Sequence, residues 1–448
     1  MSSGAVNQER FRVVRHRPDG PLGSPDPVTE AFIEAMALGF LDGRRTQEEM
    51  QGKVDRFRQD RSLLTMVHDD NQPSIALDAD IPVATFAEFP GQLCVREGVL
   101  VDTHMVTEVT VRTSHRRRGL LTKMMHASFD RAKEAGRPLA ALTATEGVIY
   151  GRFGFGVAAH TGTCRVKVLH GLRLRASAIK AIEDSGVRVV VPSWEEMPAV
   201  HRESSEAYVK RTPGQVAPVS SQRRRAAGIS NYLAEPGESH DLRPLVALGP
   251  DGTVRGHAMA EFSGWDSRPF TLKVHELMAA DPVAELALWQ ALGATDLVEE
   301  LSADSVVADH ALRVALINGR DVVDGVTRDA LWLRVLDVPE AMRARGLSSE
   351  GSVVLDVSDP LGYAQGQFLI EADEHGTRVT EAPEATDGSG ADVPHLSLDA
   401  EALAALYLGT CRVADLVASG RAQADGADLE ALHLLFHSKV PPINTTHF

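Results

Sequence analysis

The sequence predicts a multidomain α/β (α+β) protein, and three features of the chain lead there. A β-branched strand pattern at 99–111 gives way, across a basic turn, to helical spacing at 121–132 and then to a second apolar strand. The stretch "ATFAEFPG" (84–91) returns approximately as "HAMAEFSG" (257–264), each ahead of a further strand-like segment, which suggests a duplicated unit. Beyond residue 331 short strands precede a late helix, the order of a separate α+β unit. With 448 residues, 43% hydrophobic and 24% charged, the chain can build several sizeable cores.

Taken in order, residues 1–27 end in the Pro/Gly cluster "RPDGPLGSPDP" and read as a loosely held arm. An amphipathic helix is expected from Val28 to about Asp42, and "SIALDADIPVATFAEF" (74–89) reads as a β-hairpin. Strict alternation puts Val99, Val101, Thr103, Met105, Thr107, Val109 and Val111 on one face of a half-buried strand. Leu121, Met124, Met125, Ser128 and Ala132 then fall at helical spacing, with Gly136 at the C-terminal cap position. "LAALTAT" (139–145) reads as a strand and leads into "EGVIYGRFGFG". In the repeat, the place of the basic turn is taken by "ADPVAEL" (280–286), an acidic, proline-capped helix start that repels diphosphate. The run "SSQRRRAAG" (220–228) has no strand before it and reads as a solvated loop or helix. Strands at "SVVLDVSD" and "GQFLIEAD" are followed by a polar loop, "PEATDGSGAD", and by a helix that Asp399 caps and whose Leu403, Leu406 and Tyr407 share a face. These boundaries divide the chain into units at 1–170, 171–315 and 316–448.

A formal net charge of −16 disfavours nucleic acid and anionic membranes as partners and favours cationic small molecules or lysine side chains. Cys94, Cys164 and Cys411 are widely spaced, without a metal-like or disulfide-like pattern. The start "MSSGAVNQER" lacks the apolar run of a signal peptide, and no apolar stretch is long enough to span a bilayer, so a cytoplasmic protein is expected.

The turn "HRRRGLL" (115–121) sets three arginines and a glycine at a helix start, between two strands. Unpaired N–H groups and the positive end of the helix dipole make such a place a seat for a diphosphate. Neither a GxxxxGK[ST] nor a GxGxxG pattern is present. The turn resembles the [RQ]xxGx[GA] pyrophosphate loop of GNAT-fold acyltransferases, with Leu121 departing from the usual small last residue. Together, "VTVRTSHRRRGLL" and "ATEGVIYGRFGFG" resemble the Eis (enhanced intracellular survival) acetyltransferases of actinobacteria. That resemblance implies an N-terminal GNAT domain, a degenerate second GNAT domain and a C-terminal domain like a sterol carrier protein. It also implies acetyl-CoA as co-substrate, no metal, a hexamer, and amine acceptors such as aminoglycosides. A protein-lysine acetyltransferase and a lipid- or sterol-binding carrier are the alternatives.

Carried over by position, the resemblance implies that backbone groups of Val109, Thr110 and Val111 hold the pantetheine and acetyl carbonyl. Arg117, Arg118, Gly119, Leu120, Leu121 and Thr122 would hold the pyrophosphate, with Thr145 and Glu146 lining the slot. Amine acetylation needs a neutral nucleophile, oxyanion donors and an acid for the departing thiolate. Tyr150 suits the acid, since a phenol of pKa about 10 stays protonated where a thiol of about 8.5 ionises. In the resembling family the terminal carboxylate reaches the active site, which makes the α-carboxylate of Phe448 the expected general base, with His447 as its rival. Phe40, Asp42 and Glu88 are candidate acceptor-pocket residues.

Overall fold

A computed structural model of the chain describes residues 10–168, 171–229, 241–266, 268–304, 310–382, 393–425 and 429–448. Twelve strands form one mixed sheet: β1 (Phe11–His16), β2 (Leu63–Asp69), β3 (Ala84–Arg96), β4 (Val99–Val111), β5 (Leu139–Leu142), β6 (Gly156–Lys167), β7 (Arg188–Val190), β8 (Leu242–Leu248), β9 (Val254–Phe262), β10 (Thr271–Ala279), β11 (Glu300–Ala303) and β12 (Val322–Val335). Their spatial order is β1-β2-β3-β4-β5-β12-β6-β11-β10-β9-β8-β7. A second sheet, in the order β15-β14-β13-β16-β17, comprises β13 (Gly351–Ser358), β14 (Gly366–Asp373), β15 (Gly376–Glu381), β16 (His395–Asp399) and β17 (Ala422–Asp425).

The N-terminal half is built on helices α1 (Pro27–Phe40), α2 (Gln47–Gln59), α3 (Leu120–Glu134) and α4 (Gly147–Tyr150). Asp26 caps α1 by accepting the Thr29 N–H, and Thr46 with Glu49 closes a capping box on α2, each cap contributing about 1 kcal/mol. Phe32, Ile33 and Met36 of α1 and Val54 and Phe57 of α2 pack with Leu64, Met66 and Ala87 of the sheet. Each such side chain contributes about 1.5–3 kcal/mol on burial. Leu120, Met124, Met125, Ser128, Phe129 and Ala132 bury one face of α3; the expected spacing includes four of these, while Leu121, also expected there, is only partly buried.

Four expectations need correction. The supposed arm contributes β1, an edge strand antiparallel to β2. The hairpin is β3–β4 rather than 74–89, because Gly98 at φ 79° turns the chain between Arg96 and Val99. Strict alternation along β4 fails at Glu108, whose φ of 51° marks a bulge: Thr85 faces Thr110 while Ala87 faces Thr107. The partition at 170/171 and 315/316 does not follow the sheet. β12 inserts between β5 and β6, and β6 pairs on its other side with β11, so both halves share one sheet and the separate C-terminal unit begins after Val335. The polar loop at 383–392 lies outside the described residues.

The echo at 84–91 and 257–264 falls on β3 and β9, equivalent strands of hairpins β3–β4 and β9–β10. In each half the second hairpin strand runs parallel to a short neighbour, β5 or β11, and the connecting segment contains a helix. In the C-terminal unit, Asp399 caps its helix by accepting the Ala402 N–H, and Leu403, Leu406 and Tyr407 are buried core. That helix packs against β6: a Cβ on Gly156 would come within 2.3 Å of the Glu401 carbonyl oxygen. No helix among the described residues is long and apolar enough to cross a membrane.

Candidate active site

Strands β4 and β5 pair from Thr103–Val106 against Leu139–Leu142, and there the pairing ends. β4 continues to Val111 past the Glu108 bulge, so its backbone beyond Val106 is no longer paired with β5. This divergence opens a crevice at the carboxyl ends of two parallel strands, the customary ligand position in open α/β sheets. Thr110 turns its hydroxyl inward, 2.7 Å from Thr85 Oγ1, and α1 closes over it through Gly39, where a Cβ would meet Thr110 at 2.4 Å.

A cavity of about 260 Å³ occupies this place. Phe40, Arg56, Val106, Thr107, Glu108, Val109, Leu142, Thr143, Thr145, Tyr150, His447 and Phe448 line it. The expected Phe40, Val109, Thr145, Tyr150 and Phe448 thus meet at one site. Glu88 does not join them. It is 4% exposed beneath α3, where Arg131 donates to both its oxygens at 2.6 and 2.7 Å. Burial opposes its ionisation, but Arg131 and His104 outweigh that effect and hold the carboxyl at about 2. Asp42 is an exposed carboxylate paired with Arg45 at 2.7 Å and is absent from the lining. Both acids are satisfied by cations close to them, which sequence proximity to the helix and strand could not reveal.

At the basic turn, Arg117 and Gly119 both adopt left-handed conformations, with φ of 61° and 74°. The first backbone bond into α3 from this turn is Lys123 N–H to Gly119 O at 3.1 Å, which leaves the N–H groups of Leu120, Leu121 and Thr122 at the open helix end. Arg117 is exposed and pairs with none of the described residues, whereas Arg118 donates to Ser114 O at 3.3 Å and lies over the Phe11 ring. The side chains of Leu120 and Leu121 belong to the core, so only their backbone is available at this end. The turn is held from behind: His115 Nε2 is 2.9 Å from Asp69, which Arg10 also clamps through two hydrogen bonds at 2.9 and 2.7 Å. Those hydrogen bonds depress the Asp69 pKa, with Arg10 the largest contributor. Reading 1–27 as an arm concealed this anchor.

Tyr150 ends the short α4 and is 7% exposed. Burial, assisted by the nearby Glu146 carboxylate, raises its hydroxyl pKa. Glu146 itself is exposed and does not line the cavity. In the lining, Glu108 is bound by Arg56 of α2, with Lys53 at 3.8 Å. Burial works against Glu108 ionisation, yet Arg56 and Lys53 prevail and hold it below the usual carboxylate range. The same surroundings lower Lys53 to about 8, chiefly through burial. Only the bulge brings Glu108 to the lining, so alternation alone gave no sign of it.

Phe448 reaches the site at the end of a buried tail. Its ring meets Phe89 edge-on at 5.7 Å, and Thr143 Oγ1 donates to its terminal oxygen at 2.9 Å. Upstream, Ile443 N–H donates to Pro213 O, Asn444 Oδ1 accepts the Val216 N–H, and Gln215 bonds both Thr445 and Thr446. Asn444 and Thr446 are 1% and 0% exposed. Gln215 and Asn444 have no motif around them, and nothing in the sequence alone singles them out.

The second half offers no comparable seat at its helix start. Asp281 caps helix Pro282–Gly293 by accepting the N–H groups of Val283 and Ala284, both at 3.0 Å, and pairs with Arg255. The groups a diphosphate would use are already occupied by a carboxylate.

Residues 28–158 and 222–335 each match the acetyltransferase (GNAT) domain, and residues 338–444 match the sterol carrier protein domain. An uncharacterized N-acetyltransferase of Streptomyces griseus is 34% identical over 405 residues, covering 88% of this chain and 91% of that protein. The N-acetyltransferase Eis of Mycobacterium bovis is 32% identical over 358 residues, covering 78% of this chain and 82% of that protein. The crystal structure of Eis1 from Mycobacterium abscessus superimposes with a TM-score of 0.74 at 22% identity, covering 98% of this chain and all of that one. GNAT domains of this kind draw the acyl group from acetyl-CoA, and the crevice, the open helix end and the exposed Arg117 fit that co-substrate. The chain therefore belongs to the Eis family of GNAT N-acetyltransferases, with two GNAT domains and a sterol-carrier-like domain.

Proposed function

We propose that this N-acetyltransferase acts on primary amines of polycationic small molecules such as aminoglycosides, with Tyr150 as general acid and the Phe448 carboxylate as general base. The observation that carries the proposal is that Tyr150 and Phe448, far apart in sequence, line one cavity at the divergence of β4 and β5. Acetyl-CoA supplies an acyl group activated as a thioester. The backbone of Val109, Thr110 and Val111, beyond the end of the pairing with β5, holds its pantetheine arm, and Arg117 through Thr122 hold its diphosphate. Thr145 borders the slot, and Glu146 acts on Tyr150 through its charge. Tyr150, kept protonated by burial, donates its proton to the departing sulfur. The carboxylate of Phe448, oriented by Thr143, accepts the proton that the amine nitrogen loses. Phe40 forms a wall of the acceptor side, and the net charge of −16 steers cationic acceptors toward the protein. A hexamer in the cytoplasm goes with this reading, and sedimentation measures the assembly.

A chain ending in Phe448 amide tests the base, because the ring stays and only the charge disappears. The expected result is a kcat lower by about 10² to 10⁴, with acetyl-CoA affinity unchanged. Full activity in the amide would transfer the role to His447. That second reading has its own support, since His447 lines the cavity and its surroundings, burial foremost and then Arg328 and Arg225, favour the neutral imidazole. Thiol release across a panel of polyamines, aminoglycosides, lysine peptides and neutral monoamines tests the acceptor class. Equal turnover of neutral monoamines and polycations would overturn it.

A further inference from the structure

His201 on helix Met197–Arg211, His257 on β9 and Glu276 on β10 converge inside the second half of the sheet. Their donor atoms all lie within 4.8 Å of one another, and the residues are 2%, 0% and 7% exposed. None of the three lines the acetyl-transfer cavity. We propose that these residues bind a divalent transition-metal cation of the Zn²⁺ class, which pins this helix to the hairpin β9–β10.

Charge balance is the first reason. Glu276 follows an irregularity in β10, as Glu108 marks the bulge in β4. Glu108 is balanced by Arg56 and Lys53, but the ion-pair partners of Glu276 among the described residues are His201 and His257 alone. Neither a lysine nor an arginine among the described residues pairs with it, and a buried carboxylate without a permanently charged partner is costly, so a cation belongs there.

The hydrogen bonds point the same way. His201 Nε2 is buried and lies 3.1 Å from Glu276 Oε1, yet it is outside hydrogen-bonding geometry and has no other hydrogen-bond partner among the described residues. Ser204 Oγ lies 2.7 Å from His257 Nδ1 and donates to Val200 O at 2.6 Å. With its proton so used, Ser204 accepts the Nδ1–H of His257. His257 Nε2 then faces Glu276 Oε1 at 2.6 Å, an approach that needs a positive species, a proton or a metal cation, to hold the two atoms together. A hydrogen-bonded residue behind a ligating histidine is the usual outer-shell arrangement. Two imidazoles and a carboxylate suit Zn²⁺, whereas Mg²⁺ and Ca²⁺ prefer oxygen donors.

The test uses full-length protein produced without a polyhistidine tag, stripped with a chelator and then reconstituted with Zn²⁺. Elemental analysis is expected to find about one zinc per chain, and Zn²⁺ is expected to raise the Tm of the stripped protein. Co²⁺ in place of zinc should give the visible absorption of a low-symmetry site. Ser204→Ala should weaken zinc affinity by about 10- to 100-fold, and His201→Ala should abolish stoichiometric binding. If His201→Ala does not fold, the Co²⁺ spectrum and the zinc-dependent Tm of the unaltered protein still decide. Less than about a tenth of an equivalent of zinc, with a Tm indifferent to Zn²⁺, would overturn the proposal. A protonated imidazole would then be the cation that balances Glu276.

Discussion

Gln215→Met should lower kcat while leaving the KM for acetyl-CoA unchanged. The side chain is fully buried, and its Oε1 accepts the Thr445 N–H at 3.0 Å and the Thr445 hydroxyl at 3.2 Å. Its Nε2 donates to Thr446 Oγ1 and to Val216 O, both at 2.9 Å. Methionine keeps most of the volume and removes the amide. Thr446 retains its own bond to Val216 O, so the main loss is a Thr445 N–H without an acceptor, about 1–3 kcal/mol. Adding the ordinary worth of one further hydrogen bond brings the total to about 2–4 kcal/mol. Pro213, Ala330 and His160 still hold Ile443 and Asn444. The cost therefore falls on the last residues rather than on the whole fold. If docking of the terminus has little free energy in reserve, kcat drops by about 30- to 10³-fold, at 1.36 kcal/mol per factor of ten. Steady-state thiol release gives kcat and KM, and thermal unfolding of the same sample reports any global loss. Unchanged kcat with a lowered Tm would refute the reasoning, because the clamp would then serve stability alone.

Gly119→Asp should abolish acetyl-CoA binding by calorimetry with the fold retained, since it sets a carboxylate at the open end of α3 and a side chain at φ 74°. Titration of the unaltered protein should saturate at one acetyl-CoA per chain, because the Asp281 carboxylate occupies the N–H groups of the second helix start; a second equivalent would contradict that account. For Glu88, whose folded pKa lies at about 2 against an ordinary 4.5, the stabilisation is complete above the unfolded value and is lost as pH falls toward the folded one. Urea unfolding between those two pH values should therefore lose about 3 kcal/mol more in the unaltered chain than in Glu88→Gln, where no carboxylate titrates at this position.

Much of the first half is legible because its signals are local. The spacing of Met124, Met125, Ser128 and Ala132 defines the buried face of α3, and Gly119 and Gly136 mark its two ends with left-handed backbone. The match of "HRRRGLL" and "YGRFG" to known acetyltransferases brings the turn and Tyr150 into view together. What stays hidden depends on contacts across long sequence distances. Alternation cannot reveal the bulge at Glu108, because one inserted residue leaves the types on either side unchanged. Arg10, Asp69 and His115 look like unrelated surface residues until β1 pairs with β2. Glu88 resembles a pocket acid in sequence and is instead the buried counterion of Arg131, about three helical turns into a segment whose polar face had no assigned partner.

The two halves of the sheet share one plan but apply it differently. In the first, the helix after β4 begins behind a glycine, with its leading N–H groups open; in the second, Asp281 fills the equivalent place. The bulge carboxylate of the first half lines a cavity, whereas that of the second is enclosed by His201 and His257. With its helix start occupied, the second half still serves the first through the segment after helix Met197–Arg211. Thr212, Gly214 and Gln215 hold the backbone turn, Gly214 N–H and Cys94 N–H tie it to β3, and Gln215 with Val216 receives the C-terminal tail. The tail itself leaves the sterol-carrier-like unit and passes between β6 and this segment to reach the cavity beside β4 and β5. Each unit thus contributes to one site: the first its crevice and Tyr150, the second the clamp, and the third the chain that ends in Phe448. Removing either of the later units takes away a wall or a positioning group that the first domain cannot replace from its own sequence.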